Sequence, residues 1–453
     1  MSPCGQWGEI IKTYQDLMAA RGTETLLKQF ILDAIAEHKA SPVYHDAVSA
    51  ELYASGRNET ITKYQKLLYT LTGKAVPDRY SANHKCASGF YKRFLTQEVQ
   101  YLLGNGAFFA DTAVKDRLGG AKFDNVLQRA GRYARMHGTA FLYFNFDNVK
   151  VFKLTEFVPL YDEENGALRA GVRFWQISDD RPMRADLYET DGVTEYIKKP
   201  GGDMEVLRQK HTYTQVVRHT AVDGAEIFDG QNYPGFPVVP FYGDENHLSS
   251  LVGLRENIDA YDLIKSGFAN DLDDASLIYW TISNAGGMDE IDLAKFVERM
   301  KSVHAAQVGD DQKAEAHTLE VPYQSRETCL TRIKSDLYGD AMALDIDALA
   351  SSNATATQIM AAYEPLNQKT DLFEYCVLDA LGALLAAAGL PETEITFNRS
   401  QIINQKEETE TVLMAAQYLD DETLLSKLSW LTYEEKENVL ARRDKQEAAR
   451  FGA

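Results

Sequence analysis

The sequence lacks the patterns that usually carry chemistry. It contains no GxxxxGK(S/T) loop, no HExxH, no GxSxG elbow and no GxGxxG after a strand-like run, so the signatures of nucleotide hydrolysis, zinc hydrolysis, acyl transfer and dinucleotide binding are absent. Only four cysteines occur, Cys4, Cys86, Cys329 and Cys376, far apart and in no CxxC or Cys/His spacing, which predicts reduced intracellular thiols in a chain too large to need disulfides. The nine histidines form no i, i+4 pair, and each reads as a surface or capped core residue rather than a ligand. No run reaches the roughly 18 apolar residues of a membrane span, and no basic-then-apolar leader opens the chain. The expectation is a soluble protein made in the cytoplasm, with no cofactor and no membrane partner. Positive charge is also short: 47 Lys and Arg face 67 Asp and Glu, for a formal net charge of −20. That balance argues against a basic groove gripping nucleic acid or an anionic membrane, though not against a surface along which DNA slides.

What is present is enough apolar material for a large folded chain. With 453 residues, 45% of them hydrophobic, the usual domain size suggests about two to four domains. Residues 5 to about 137 read as helices: "GEIIKTYQDLMAA" and "TETLLKQFILDAIAEHKA" repeat apolar residues at steps of three and four, "TQEVQYLLGNG" closes on a glycine cap, and "FDNVLQRAGRYARMHG" ends the same way. From Thr139 the pattern turns to strands separated by ENG, TDG, PGG and VDG turns, predicting one antiparallel meander. The class is therefore α+β. "YPGFPVVPFYGDENHLS" reads as a stiff connector back to helices.

The second half is organised by long helices. Leu254, Ile258, Tyr261, Lys265, Phe268, Leu272 and Ala275 follow alternating steps of four and three, a heptad-like seam with one lysine in it. Leu330, Ile333, Leu337, Ala341 and Leu344 share one side of another predicted helix. The stretch between them carries a Gly-Gly turn, Asp289 as an N-cap, a short amphipathic helix and a short strand, and reads as a small inserted unit. Next comes "LASSNATATQIMAAYEPL", small and polar at first, then the start of the longest helix. Pro365 falls in its early turns, where a missing N–H and a ring clash of about 3 kcal/mol predict a kink. Asp271, Asp273 and Asp274 invite a metal-site reading, but Asp273 lies off the face shared by the other two, and a solvated or channel-facing acidic surface fits better.

The order of these parts resembles the SPP1-like family of tailed-phage portal proteins. The resemblance runs through "YASGRNETI", "YLLGNG", "FDNVLQRAGRYARMHGTAFLYFNFD", "FPVVPFYGDENHLSSLVGLRENIDAYDLIKSGFANDLDD", "ATATQIMAAYEPLNQKTDLFE" and "LDDETLLSKLSWLTYEEKENVLARRDKQ". It implies a mainly helical portal fold with a wing at 1–248 (β-rich from about 139), stem helices at 249–275 and 325–344, and a small α/β clip at 276–324. A tunnel loop at 345–357, a kinked tunnel helix at 358–391 and a crown at 392–453 complete it. It further implies a homo-oligomeric ring of twelve subunits in the virion, passing double-stranded DNA without reading its sequence. The implied partners are the terminase large subunit, head-tail connector proteins, and the major capsid and scaffolding proteins. Transferred by position, Ser351, Ser352, Asn353 and Thr355 fall in the tunnel loop, Lys265 and Lys334 are candidate channel lysines, Pro365 marks the kink, and Met288, Lys295, Arg299 and Lys301 fall on the clip's partner surface.

Geometry and charge are compatible with that implication. Twelve helices about 9 Å apart make a ring about 34 Å across, leaving about 24 Å clear after one helix thickness, slightly more than a B-form duplex. Twelve chains at −20 sum to about −240, and a wall with few free cations makes few counterion-releasing contacts with phosphate. Two other readings remain at this stage: another structural ring or adaptor of a phage or secretion apparatus, and a Mg²⁺-dependent nucleic-acid enzyme built on Asp271 to Asp274.

Overall fold

The computed structural model describes residues 12–69, 73–78, 81–220, 226–275, 279–283, 313–317, 323–347 and 356–399, with Ile291 and short pieces between 412 and 442. The N-terminal part is helical, as the periodicity predicts. Helix α1 (Tyr14–Ala20) starts with a capping box between Thr13 and Asp16. Ser41 serves two helices: its Oγ donates to the His38 carbonyl at the end of α2 (Glu24–Ala40) and accepts from the Tyr44 N–H at the start of α3 (Pro42–Ala54). The short α4 (Glu59–Lys63) and the ribbon β1 (Leu67–Tyr69) with β2 (Ala75–Pro77) follow. Then come α5 (Phe90–Leu103), β3 (Ala107–Phe109), α6 (Thr112–Arg117) and α7 (Ala121–His137). Gly104 caps α5, as the "YLLGNG" pattern predicts.

The strand region is not the single meander expected. A five-stranded antiparallel sheet runs β6 (Phe157–Tyr161), β7 (Leu168–Trp175), β8 (Met183–Glu189), β9 (Gly192–Lys198) and β10 (Met204–His211). β11 (Thr214–Thr220) and β12 (Glu226–Gln231) form a separate hairpin. β4 (Thr139–Phe144) and β5 (Val149–Lys153) belong to a third sheet, cut off from β6 by a 3₁₀ turn at Leu154–Glu156. The missing strand of that sheet is β13 (Val238–Tyr242), inside the segment read as a connector. β13 pairs with β4 from Val238↔Tyr143 to Tyr242↔Thr139. Pro240 is compatible with this because β13 is an edge strand, where one missing donor leaves no ladder bond unmade inside the sheet. β4, in the middle, is buried at every position.

Two cores result. In one, Leu17, Phe30 and Ile31 of α1 and α2 pack on Val158, Leu160, Val172 and Tyr196 of the five-stranded sheet. The larger one joins α3, α5 and α7 to the three-stranded sheet and to the C-terminal helices, through Phe94, Leu102, Phe123, Phe141, Phe241 and Phe373. Gly138 makes the tight exit from α7: its φ is +82°, and a Cβ there would stand 2.2 Å from the His247 carbonyl oxygen.

The C-terminal half contains α8 (Arg255–Ala275), α9 (Tyr323–Asp340) and α10 (Ala356–Ala388), with β16 (Ile395–Phe397) pairing back onto β3. α8 starts one residue after Leu254, which opens the predicted seam, and six after the bound that the resemblance implies. Ser249 is occupied donating to the Met136 carbonyl, and Gly253 takes a left-handed φ of +84°. α9 stops at Asp340 because Met342 enters the left-handed region and the Ala343 N–H turns back to the Tyr338 carbonyl.

Candidate functional site

The sequence points to the three long helices and the two segments between them. α8 and α9 pack side by side: Asn257 donates to Asp340 at 3.0 Å, the Phe268 ring meets Tyr323 edge-on, and Arg326 pairs with Asp271. Part of the predicted heptad seam is therefore used inside the chain. The positions that α8 buries run in uniform steps of four, Leu254, Ile258, Asp262, Ser266 and Asn270, and the last three are polar.

That polar line holds a strap. The segment before α5 lies antiparallel along α8, and three alternate amides donate in turn: His84 to Asn270 at 2.5 Å, Cys86 to Ser266 at 2.9 Å, and Ser88 to Asp262 at 2.9 Å. The match is geometric, since two extended residues advance about 6.6 Å and four helical residues about 6 Å. The second oxygen of Asp262 accepts from Asn58 at 2.8 Å, which brings in α4. Burial pushes the Asp262 carboxyl up, opposed by these donors.

β14 (Tyr279–Ser283) and β15 (Lys313–His317) pair antiparallel, bringing the two ends of the insertion between α8 and α9 together at a ribbon. Met288, Lys295, Arg299 and Lys301 lie beyond that ribbon, outside the described residues. Ser351, Ser352, Asn353 and Thr355 also lie outside them, between the described Asp347 and Ala356.

The two lysines behave differently. Lys334 on α9 is already neutralised, 3.1 Å from Asp347 and 3.7 Å from Asp345, with its ammonium over the Tyr338 ring. The hydrogen bond to Asp347 raises its pKa. Lys265 on α8 is half-buried and forms no ion pair with another described residue. Its positive charge helps offset the nearby Asp262.

α10 is continuous through Pro365, which sits on its exposed side. Directly beside it, Tyr363 and Leu366 are buried against Tyr101 and Leu344, which pins the first turns of the helix. One turn later a buried ion cluster fixes the same helix. Glu98 of α5 lies 2.7 Å from Nε of Arg135 on α7 and 3.0 Å from Nζ of Lys369 on α10. Arg135 also donates to the Gly243 carbonyl and Lys369 to the Ala341 carbonyl, so five segments meet at one carboxylate. Burial would raise Glu98, but the two cations outweigh it and hold the group below its usual range.

Sequence periodicity missed both the cluster and the polar line. The signal was Glu98 itself, four residues after Phe94 and four before Leu102, a charge at a core position of α5. Two members of the acidic trio are already engaged, Asp271 with Arg326 and Asp273 with His84, and the side chain of Asp274 lies outside the described residues. Among the described residues, no group of three or more His, Cys, Asp or Glu is placed to hold a metal ion. No described helix is long and apolar enough to cross a membrane.

These features define an α+β scaffold in which long helices are riveted to a sheet core, with a ribbon closing the insertion between α8 and α9. The chain matches the family described as phage portal protein, SPP1 Gp6-like, over residues 51–450, and belongs to that family of phage portal proteins. It is 24% identical over 369 residues to the portal protein of Bacillus phage SPP1, covering 78% of this chain and 69% of that protein. It is 22% identical over 278 residues to the portal protein of Clostridium phage phiCD119, covering 56% of this chain and 62% of that protein. Among solved structures, a chain from the neck of a native GTA particle computed with C12 symmetry is similar at a TM-score of 0.40 and 11% identity, covering 85% of this chain and 99% of that one.

Proposed function

We propose that this chain is a structural subunit of a ring at one capsid vertex, through which double-stranded DNA enters during terminase-driven packaging and leaves at ejection. On this reading α8 and α9 are the stem, the β14–β15 ribbon is the root of the clip that meets terminase and then the head-tail connector, and α10 is the tunnel helix. Capsid and scaffolding proteins are the partners of the outer parts, and the virion is its location. The observation that carries the proposal is the family match across residues 51–450.

The chemistry near the proposed channel supports low-friction passage. Lys334, at the root of the polar loop, already has two carboxylate partners and offers phosphate little to bind. Ser351, Ser352 and Asn353 carry no charge and reach a duplex without reading its bases. The test is packaging with Ser351→Arg, Ser352→Arg and Asn353→Arg combined. Assembly should persist while packaging slows or stalls, because arginines at the narrowest point bind phosphates. An unchanged rate places the constriction elsewhere.

A further inference from the structure

Two helix faces of this chain are complementary in charge, and among the described residues most of their charged side chains have no oppositely charged partner. The first is shared by α5 and α7. Lys92 and Thr96 stand exposed on α5, Lys122 and Arg129 are exposed on α7, and half-exposed Arg132 points across from α7 to Thr96. Gln100 donates to Gln128 one turn further on, so the two helices present one fixed surface. The exposed positions of this surface include no acid, in a chain whose acids outnumber its bases by 67 to 47. Lys92, Lys122, Arg129 and Arg132 form no ion pair with another described residue.

The second face is the outward row of α10. It carries Glu364, Asp371 and Asp379, with no lysine or arginine of the helix itself on that side, because Lys369 is turned inward to Glu98. Asp371 is held by Arg399, whereas Glu364 and Asp379 have no described cation beside them. The same row leaves Met360 69%, Leu372 54% and Tyr375 67% exposed, apolar area expected to be covered in an assembly. A polyanion is repelled by this second face, so it does not explain the pair of surfaces; a second copy of the chain explains both.

We infer that the α5–α7 face of one copy docks on the outward row of α10 of the next, with Arg129 and Arg132, about 4.5 Å apart along α7, at the Glu364 end of the row, and Lys122, seven residues before Arg129, toward its Asp379 end. Two different faces of one chain make a head-to-tail contact, which repeats from copy to copy and closes when the rotation permits. This inference rests on the ring reading and names the surfaces that build the ring. Opposed charges at its rim set the register and weaken with salt.

The test uses the full chain and measures ring fraction against protein concentration by mass photometry. Arg129→Glu with Arg132→Glu should raise the concentration for half-assembly by about tenfold or more. Adding Glu364→Lys should restore it, and Glu364→Lys alone should assemble poorly. Circular dichroism and melting of the subunit should stay unchanged, since all three side chains reach the surface. Rings that form normally from the Arg129→Glu/Arg132→Glu chain overturn the inference while leaving the portal reading intact. Loss of assembly without rescue by the swap, in a folded chain, overturns the pairing with α10. Normal assembly with lost retention of duplex DNA reassigns the basic face to nucleic acid and also overturns it. A wild-type chain that never forms rings overturns the portal reading itself.

Discussion

Nζ of Lys369 stands 3.0 Å from Oε2 of Glu98, joining the longest helix of the chain to α5 through a carboxylate whose side chain is only 2% exposed. The other oxygen of Glu98 is taken by Arg135, so removing the acid strands two cations rather than one. Glu98→Gln should therefore cost about 3–5 kcal/mol of stability, read by denaturant unfolding. Replacing all three charges together, with Glu98→Leu, Arg135→Met and Lys369→Met, should recover much of that loss. If the single substitution is neutral, the cluster does not hold α10 in place.

The strap on α8 makes a local prediction. Asp262→Ala leaves the Ser88 amide and the Asn58 side chain without their acceptor, at about 1–3 kcal/mol. Hydrogen exchange at His84, Cys86 and Ser88 should speed up well before the rest of α5 responds. Unchanged protection at these amides contradicts the strap.

Acid sensitivity follows from His38. Its Nε2 lies 2.7 Å from the Leu154 carbonyl, which only accepts, so Nε2 carries a hydrogen and donates there. Burial first, and Lys39 next, lower its pKa from 6.5 to about 4, against the Leu154 bond that raises it. A depressed folded pKa means a contribution that is fully present above the unfolded value and lost as pH falls through the folded one. Stability should thus drop by up to about 3 kcal/mol between pH 6.5 and 4, and His38→Gln should flatten that slope. Glu51, held at about 2 by the His137 contact and by Lys153 against burial, adds a second loss below pH 4.5.

Lys334 tests the low-friction account. Asp345→Asn with Asp347→Asn frees its ammonium, so packaging should slow a few-fold and become more salt-dependent. Lys334→Ala in the same background should restore the rate. No change in either chain means that this lysine does not face DNA.

The helices were legible because burial follows the 3.6-residue period: Tyr363, Leu366, Thr370, Phe373 and Val377 are buried on one side of α10 as the spacing requires. Much of what fixes that scaffold was not legible. Asp262, Ser266 and Asn270 are buried because backbone amides from a distant segment satisfy them, and periodicity counts only apolar residues. β13 was hidden because its ladder partner, β4, lies about a hundred residues earlier and Pro240 argues locally against a strand. Glu98 reads as a surface charge until Arg135 and Lys369 are brought to it by other helices.

The central claim is a ring with a DNA-wide hole, and electron microscopy of the assembled full-length chain viewed down its axis addresses it most directly. The account predicts a closed ring, twelve subunits around, with a clear channel of about 24 Å from side-by-side helix packing. Only compact monomers under assembly conditions, or a closed particle with no axial opening, would contradict it.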